Sequence, residues 1–494
     1  MEAMTQRNAG TSEIANEEEM RVAENLTWVV DLKEKLESSD PSEYASKWGN
    51  FSVYKWPNDL AAASGVSRYR TPCMASFGPY HHGEEHLQPM EHHKERALHR
   101  ILNRSVRPRP LSRFVASLKR IQQELWDSYD NLYSNLSMDS FLRMMLLDGC
   151  FILELLRTRD PNQGGPALYD PVFSPNGKLS YSVIQHDMLL IENQIPLPVL
   201  IQLLKVEASN MESPPNVNHN EYLNSLIFRH YGFENSQLGG PSLHILDVYR
   251  RRLITGGAME EDRPHLAEGF IRSVWSQCQL CMHVVHKGLW HLCLAIPIFI
   301  FRLLTRPIPE PGYVRSATRF HEAGIEFRKR TDSGLEITFD QGNGVLTLPY
   351  IDMDDYTAPI YMNLIAFERM HLNPSELHKV TTYIAFMYNL IDTAEDVSLL
   401  SSQGVLRNQL GSDEDAAAVF NNLADGITYW PDDDLQEQLR AYVASDWNAA
   451  RANLKHHYFK NPWSILSVFA AIVLLILTFF VAVFAVLEYA RHRK

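Results

Sequence analysis

Cysteine is scarce in this chain. Five occur in 494 residues, at positions 73, 150, 278, 281 and 293, too few and too unevenly placed for a disulfide framework. Cys150 lies in an apolar run and reads as a small core hydrophobe. Positive charge is not in excess either: 46 Lys and Arg stand against 59 Asp and Glu, for a net charge of −13. That argues against a nucleic-acid partner, whose phosphates call for a basic face. The first 24 residues are polar and acidic with no apolar h-region, so they are expected to be disordered and to hold no signal peptide. No P-loop, GxGxxG turn or nucleophile elbow occurs, which removes the simplest signatures of nucleotide and acyl chemistry. No internal repeat is visible. What remains, at 45% hydrophobic and 21% charged, is a globular composition with enough chain for one large domain or two.

Long apolar runs are also few, with one exception. WSILSVFAAIVLLILTFFVAVFAVL, residues 463–487, has no charged residue in 25 positions, and only Ser464, Ser467 and Thr478 are polar. A bilayer core takes about 20 apolar residues in helix, so the run predicts a C-terminal transmembrane helix, with 488–494 as a short basic tail. Pro462 would set its start and Trp463 would sit at the interface. The expectation is therefore a single-pass, tail-anchored protein of the plasma membrane or an endomembrane, with the lipid bilayer as one partner and the body in the cytosol. Basic residues nearly balance on the two sides, Arg451, Lys455 and Lys460 against Arg491, Arg493 and Lys494.

The body, about 25–455, reads as mainly α. TWVVDLKEKLES (27–38) is a short amphipathic helix. The stretch from Met74 to Leu102 starts irregular and turns helical near Pro89. Apolar spacing is helical between Pro110 and Leu156, and Pro196 with Pro198 break or kink two apolar stretches further on. A linker at 205–222 and a loop-rich region at 233–265 bracket the expected subdomain border, within 205–265. The one β signal is a hairpin at 335–349, LEITFD–QGNG–VLTLP. Two helices follow, the second read through from Leu377 to Gln403, with Asp392 and Asp396 four apart on one face. A further helix with Ser412 or Asp413 as its N-cap leads on towards the C-terminal run.

Three polar clusters could carry chemistry. The first is His81, His82, Glu84, Glu85 and His86 with Glu91 to Glu95. Imidazoles among carboxylates suit zinc or another divalent metal, although Pro79 and Gly83 interrupt the helix that an HExxH pair requires. The second is CQLCMHVVHKGLWHLC, where Cys278, Cys281, His286 and Cys293 include a CxxC half-site, with a spacing to the second pair much shorter than in a zinc finger. The third is a set of ionisable groups inside apolar runs: Asp148, Glu192, His321, Glu368 and Asp392. Gathered around open volume they would form a site for acid–base or metal-assisted hydrolysis. Converging on Arg315, Arg319 or Lys94 in a packed interior they would form a structural network, because a buried carboxylate must be paired.

Seven phrases in order resemble the plant domain-of-unknown-function family 247: ASFGPYHHGEEHLQPMEHHK (75–94), LLDGCFILELL (146–156), HDMLLIENQIPLPVL (186–200), SATRFHEAGIEFR (316–328), LPYIDMDD (348–355), NLIAFER (363–369) and NLIDTAEDVSLLSSQGVL (389–406). The resemblance implies a mostly helical plant protein that ends in a membrane span and has no agreed enzymatic activity. Some grass members of that family are associated with self-incompatibility loci, and defence or development are further settings. The expected function is accordingly a membrane-tethered recognition or signalling module with a protein partner and no firm cofactor, leaning away from an enzyme. A metal-dependent hydrolase and a structural scaffold stay open beside it.

Overall fold

The computed structural model describes residues 26–38, 51–56, 69–104, 110–132, 136–159, 170–173, 181–208, 218–233, 240–256, 316–332, 334–372, 378–423 and 433–445, together with 238, 448 and most of 470–485. The described chain is mainly helical with two small sheets. Helix α1 (Thr27–Ser38) precedes the body. Helices α2 (Gln88–Asn103), α3 (Leu111–Lys119), α4 (Gln122–Asp127) and α5 (Met138–Leu156) follow. Then come α6 (Tyr181–Asp187), α7 (Leu197–Ala208), α8 (His219–His230) and α9 (Ile245–Thr255).

Each helix has a local cause. Pro89 opens α2, where its missing N–H costs nothing. The buried stripe of α2 is Met90, Lys94, Ala97 and Ile101, a helical spacing with a lysine set into it. Ser137 caps α5 by accepting from the Ser140 N–H. Gly149, in the middle of α5, admits α7: a Cβ there would lie 2.7 Å from Leu203 and 2.9 Å from Val199. Helices α2, α3 and α7 all pack on α5, which is the axis of the N-terminal half.

The C-terminal half begins with α10 (Ala317–Glu322) and strand β1 (Glu326–Lys329). Strands β2 (Thr338–Asp340) and β3 (Val345–Leu348) form an antiparallel hairpin over the expected segment, and β1 joins β3 in parallel, giving the order β1-β3-β2. A second sheet pairs β4 (Ile351–Met353) with β5 (Leu406–Asn408) in parallel. Between them lie α11 (Thr357–His371), α12 (Lys379–Leu390) and α13 (Ala394–Ser402). Helices α14 (Asp413–Leu423) and α15 (Asp433–Ala444) complete the body. The buried hydrophobic side chains form one cluster running from Val53 to Tyr442.

Three expectations need correction. The transmembrane helix over 463–487 is not found: among the described residues no helix is long and apolar enough to cross a membrane. The single-pass anchor, and the localisation built on it, fall with the helix.

Second, the helix expected over 377–403 is not continuous. It stops at Leu390 and restarts behind a Thr393–Asp396 capping box. Asp392 and Asp396 therefore do not repel across one helical face; the Asp396 carboxylate accepts from the Asp392 N–H. Third, the loop-rich reading of 233–265 misses α9. Its buried stripe, Ile245, Leu246 and Val248, is interrupted by the Arg250–Arg252 run, and Arg250 and Arg252 are themselves buried.

Candidate functional site

Two irregular strips, 73–81 and 186–194, carry many of the candidate residues, and the fold presses them together in its interior. At the end of α6 the Asp187 carboxylate accepts from the backbone N–H groups of Cys73 at 2.8 Å, Met74 at 2.7 Å and Ala75 at 2.9 Å. Burial raises its pKa to about 6, against the lowering effect of those three donors. Asn193 accepts from the Phe77 N–H at 2.6 Å and donates to the carbonyls of Ala75 and Asp187, both at 2.9 Å. Gln194 donates to the carbonyls of Met188 at 2.7 Å and Leu190 at 2.8 Å. Irregular backbone buried without such partners would leave polar groups orphaned. Gly78 is required at the crossing: its φ is +74°, and a Cβ would lie 2.7 Å from the Gln194 carbonyl.

Lys94 is the hub beneath these strips. Its fully buried ammonium lies 2.7 Å from Asp148, 2.6 Å from Glu91 and 2.6 Å from the Ser76 carbonyl. The other Asp148 oxygen accepts from the Gly78 N–H at 2.8 Å. Burial opposes the lysine's charge, but Asp148 and Glu91 outweigh it and lift its pKa above the ordinary lysine value. Glu192 accepts from the Trp56 N–H at 2.6 Å, with His81 Nε2 at 3.4 Å and Arg70 at 3.8 Å. Burial works against its charge as well, yet His81, Trp56 and Arg70 hold it below the usual carboxylate range. His81 also meets Glu84 at 2.7 Å, and the two carboxylates raise its pKa despite burial.

In the C-terminal half Glu368 plays the same part. One oxygen accepts from Arg250 at 2.8 and 3.0 Å and from the Val380 N–H at 3.0 Å; the other accepts from the Thr381 N–H at 2.9 Å and hydroxyl at 2.7 Å. It thereby ties α9, α11 and the first turn of α12 together. Asn363 accepts from the Ile191 N–H at 2.8 Å and donates to the Tyr69 carbonyl at 2.7 Å, joining the two halves. Asp396 accepts from the Thr318 N–H and hydroxyl at 2.8 and 2.9 Å, fastening α13 to α10.

The five catalytic candidates do not share a set of partners. Asp148 belongs to Lys94, Glu192 to His81 and Trp56, and Glu368 to Arg250. His321 is half-buried on α10 and Asp392 is exposed before α13. A general acid or base needs a proton or lone pair facing the reacting group. Here the buried carboxylates direct theirs at backbone N–H groups and cationic partners. Of the first histidine cluster, His81 is buried, while His82 and His86 are exposed and His86 Nε2 lies 3.0 Å from the Pro72 carbonyl. Among the described residues no three or more His, Cys, Asp or Glu are grouped to hold a metal ion. Cys278, Cys281, His286 and Cys293 lie outside the described residues.

Open volume occurs elsewhere. A groove of about 540 Å³ lies between α2, α3 and α5, with Leu98, Leu111, Val115, Leu118, Leu142 and Leu146 on its floor. Glu95, Lys119, Asp139 and Arg143 supply charges of both signs around it. Leu111 and Val115 are 44% and 39% exposed, which is unusual for large apolar side chains four apart on a short helix. The sequence signal for it is a second apolar stripe on α3, Leu111 and Val115, beside the buried stripe of Phe114 and Leu118.

The chain resembles known sequences over most of its length. A family model described as plant protein of unknown function, DUF247, matches residues 53–477. A UPF0481 protein of Arabidopsis thaliana is 27% identical over 461 residues, covering 90% of this chain and 87% of the relative. A second UPF0481 protein of that plant is 24% identical over 510 residues, covering 91% of this chain and 93% of the relative. No solved structure matches.

Proposed function

This chain belongs to the DUF247 family of plant proteins of unknown function, and on that premise we propose that it is a protein-recognition module whose working surface is the α2–α3–α5 groove. One observation supports the reading. Asp148, Glu192 and Glu368 are engaged inside the fold, whereas between α2, α3 and α5 a charge-rimmed groove of binding-site size keeps apolar side chains open. Clefts of roughly 300–1,000 Å³ accept ligands or the anchor side chains of an amphipathic helix. The occupant expected here is a protein helix, because the floor is aliphatic and the rim carries both signs of charge. The hydrolase alternative has no comparable support, since Asp148, Glu192 and Glu368 each answer to different partners. The comparisons supply the family and no pathway, so neither self-incompatibility nor defence enters the proposal.

The test is a photo-reactive residue at Val115 of the full chain, exposed to plant extract, with the same residue at exposed Tyr388 as control. The proposal expects a discrete foreign protein joined at position 115 and absent at 388. Capture of nothing foreign at 115, or of the same proteins at both positions, would overturn it.

A further inference from the structure

The groove has a candidate occupant within its own chain. Helix α1 precedes the body, and apolar side chains at its start stand in the open: Trp28 is 64% exposed, Val30 46%, and Leu26 just before the helix 42%. A lone twelve-residue helix is marginal in water, so α1 gains its stability from whatever its apolar face rests on. Trp28 and Val29 stand side by side in its first turn, and apolar side chains on a helix are what such helices set into grooves as anchors. The groove floor offers the matching surface, with Leu111 and Val115 exposed beside Leu142 and Leu146.

The connection is long enough. Residues 39–50 separate α1 from Phe51, and twelve residues reach at most roughly 40 Å. The body also receives the chain close to the groove. Val53 bridges to Tyr129, whose ring meets Phe141 of α5 at 5.8 Å. Phe141 stands between groove residues Asp139 and Leu142 in sequence, so the entry point and the groove lie at the same end of α5. Charge does not oppose the docking. Asp31, Lys33, Glu34, Lys35 and Glu37 of α1 carry both signs, as does the rim of Glu95, Lys119, Asp139 and Arg143.

We infer that α1 folds back and lays its Trp28 face into the α2–α3–α5 groove of the same chain. Covered in this way, the groove still admits an outside helix that displaces α1, so α1 acts as a built-in competitor. The inference uses the groove of the recognition reading but does not need a partner to exist. The two fail separately, one in purified protein and the other in extract.

The experiment is amide hydrogen exchange on the purified full chain and on two charge insertions, Val115→Asp in the groove and Trp28→Asp in the helix. Docking predicts that V115D speeds exchange across 27–38 by about tenfold or more, and that W28D does the same across 111–118. The double variant should be no faster than either single at the partner segment. Exchange in α11 serves as the folding control and should not change. Free-helix exchange rates for 27–38 in the unmutated chain would overturn the inference, as would a V115D change confined to α3. Protection of 27–38 that grows with protein concentration would also overturn it, because the groove would then hold a second copy.

Discussion

Helix α5 offers Asp148 to Lys94 on one side and Leu142 and Arg143 to an open groove on another, and the two sides obey different physics. On the first, charges are out of water, and each hydrogen bond is held because the alternative is an unpaired buried group. On the second, Arg143 lies 3.5 Å from Glu95 with both side chains mostly exposed, a pairing worth about 0–1 kcal/mol. The family phrases follow the first side. ASFGPYHHGEEH, LLDGC and HDMLLIENQ are the strips and helices that clasp one another through Asp187, Asn193, Lys94 and Asp148. A sequence dense in histidine and carboxylate thus resembles an active site while building an interior.

The sharpest way to break that contrast is to remove one buried charge. Glu368→Gln leaves Arg250 without its counter-charge and should cost about 3–5 kcal/mol in urea unfolding, where a catalytic role would predict a near-neutral change. Acid comes next. Burial pushes His186 down to about 4 and His230 down to about 3, below the ordinary value of 6.5. The unfolded chain therefore takes up protons that the fold refuses, so stability is present above pH 6.5 and is lost as pH falls towards 4. The loss is on the order of 3 kcal/mol for each histidine. Asp187 works in the opposite sense: with its pKa raised to about 6, the fold gains from its protonation as pH falls. Urea melts at several pH values should show a net acid loss, flatter in His230→Asn. A rise in stability on acidification would contradict the assignment of these histidines as buried and neutral.

A smaller effect is expected from Asn193→Ala. It strips one acceptor and two donor contacts from the clasp and should cost about 1–3 kcal/mol, read in the same melts. Smallest in stability is Val115→Asp, within about 0.5 kcal/mol because the site is already partly in water. That variant should nonetheless abolish capture of a foreign protein through the groove, measured with the photo-reactive residue moved to Leu111. A large stability loss in V115D with unchanged capture would reverse the contrast between the two sides.

Much of the interior was legible in the residues, because polar side chains inside apolar runs must find partners. That rule offers Lys94 among three cations for the carboxylates, without saying that Asp148 takes it, and the hairpin at 338–348 follows from alternation around a glycine turn. The partners themselves were harder. Arg250 meets Glu368 across 118 positions, and Asn363 meets Tyr69 across 294, distances over which no periodicity carries information. Strands β4 and β5 have three residues each, too few for alternation to show, and their parallel pairing joins 351–353 to 406–408. The helix break at 391–393 is marked by a capping box that a helix drawn straight through to Gln403 passes over. The C-terminal run was read from its apolar letters alone, and among the described residues no helix is long and apolar enough to cross a membrane. The groove escaped because two exposed aliphatics on α3 look ordinary until the fold sets them beside Leu142 and Leu146 of α5.

The most direct test of the account is the stability of Lys94→Met, Asp148→Asn and their combination, with capture at position 115 measured on the double variant. If these residues form a structural clasp, K94M is strongly destabilised by the carboxylate it strands. The double variant then recovers most of that loss, because the amide oxygen introduced by D148N can still accept from the Gly78 N–H, and capture is unchanged. A double variant that regains its stability yet captures nothing would contradict the account, since the buried pair would then serve the function and not the fold.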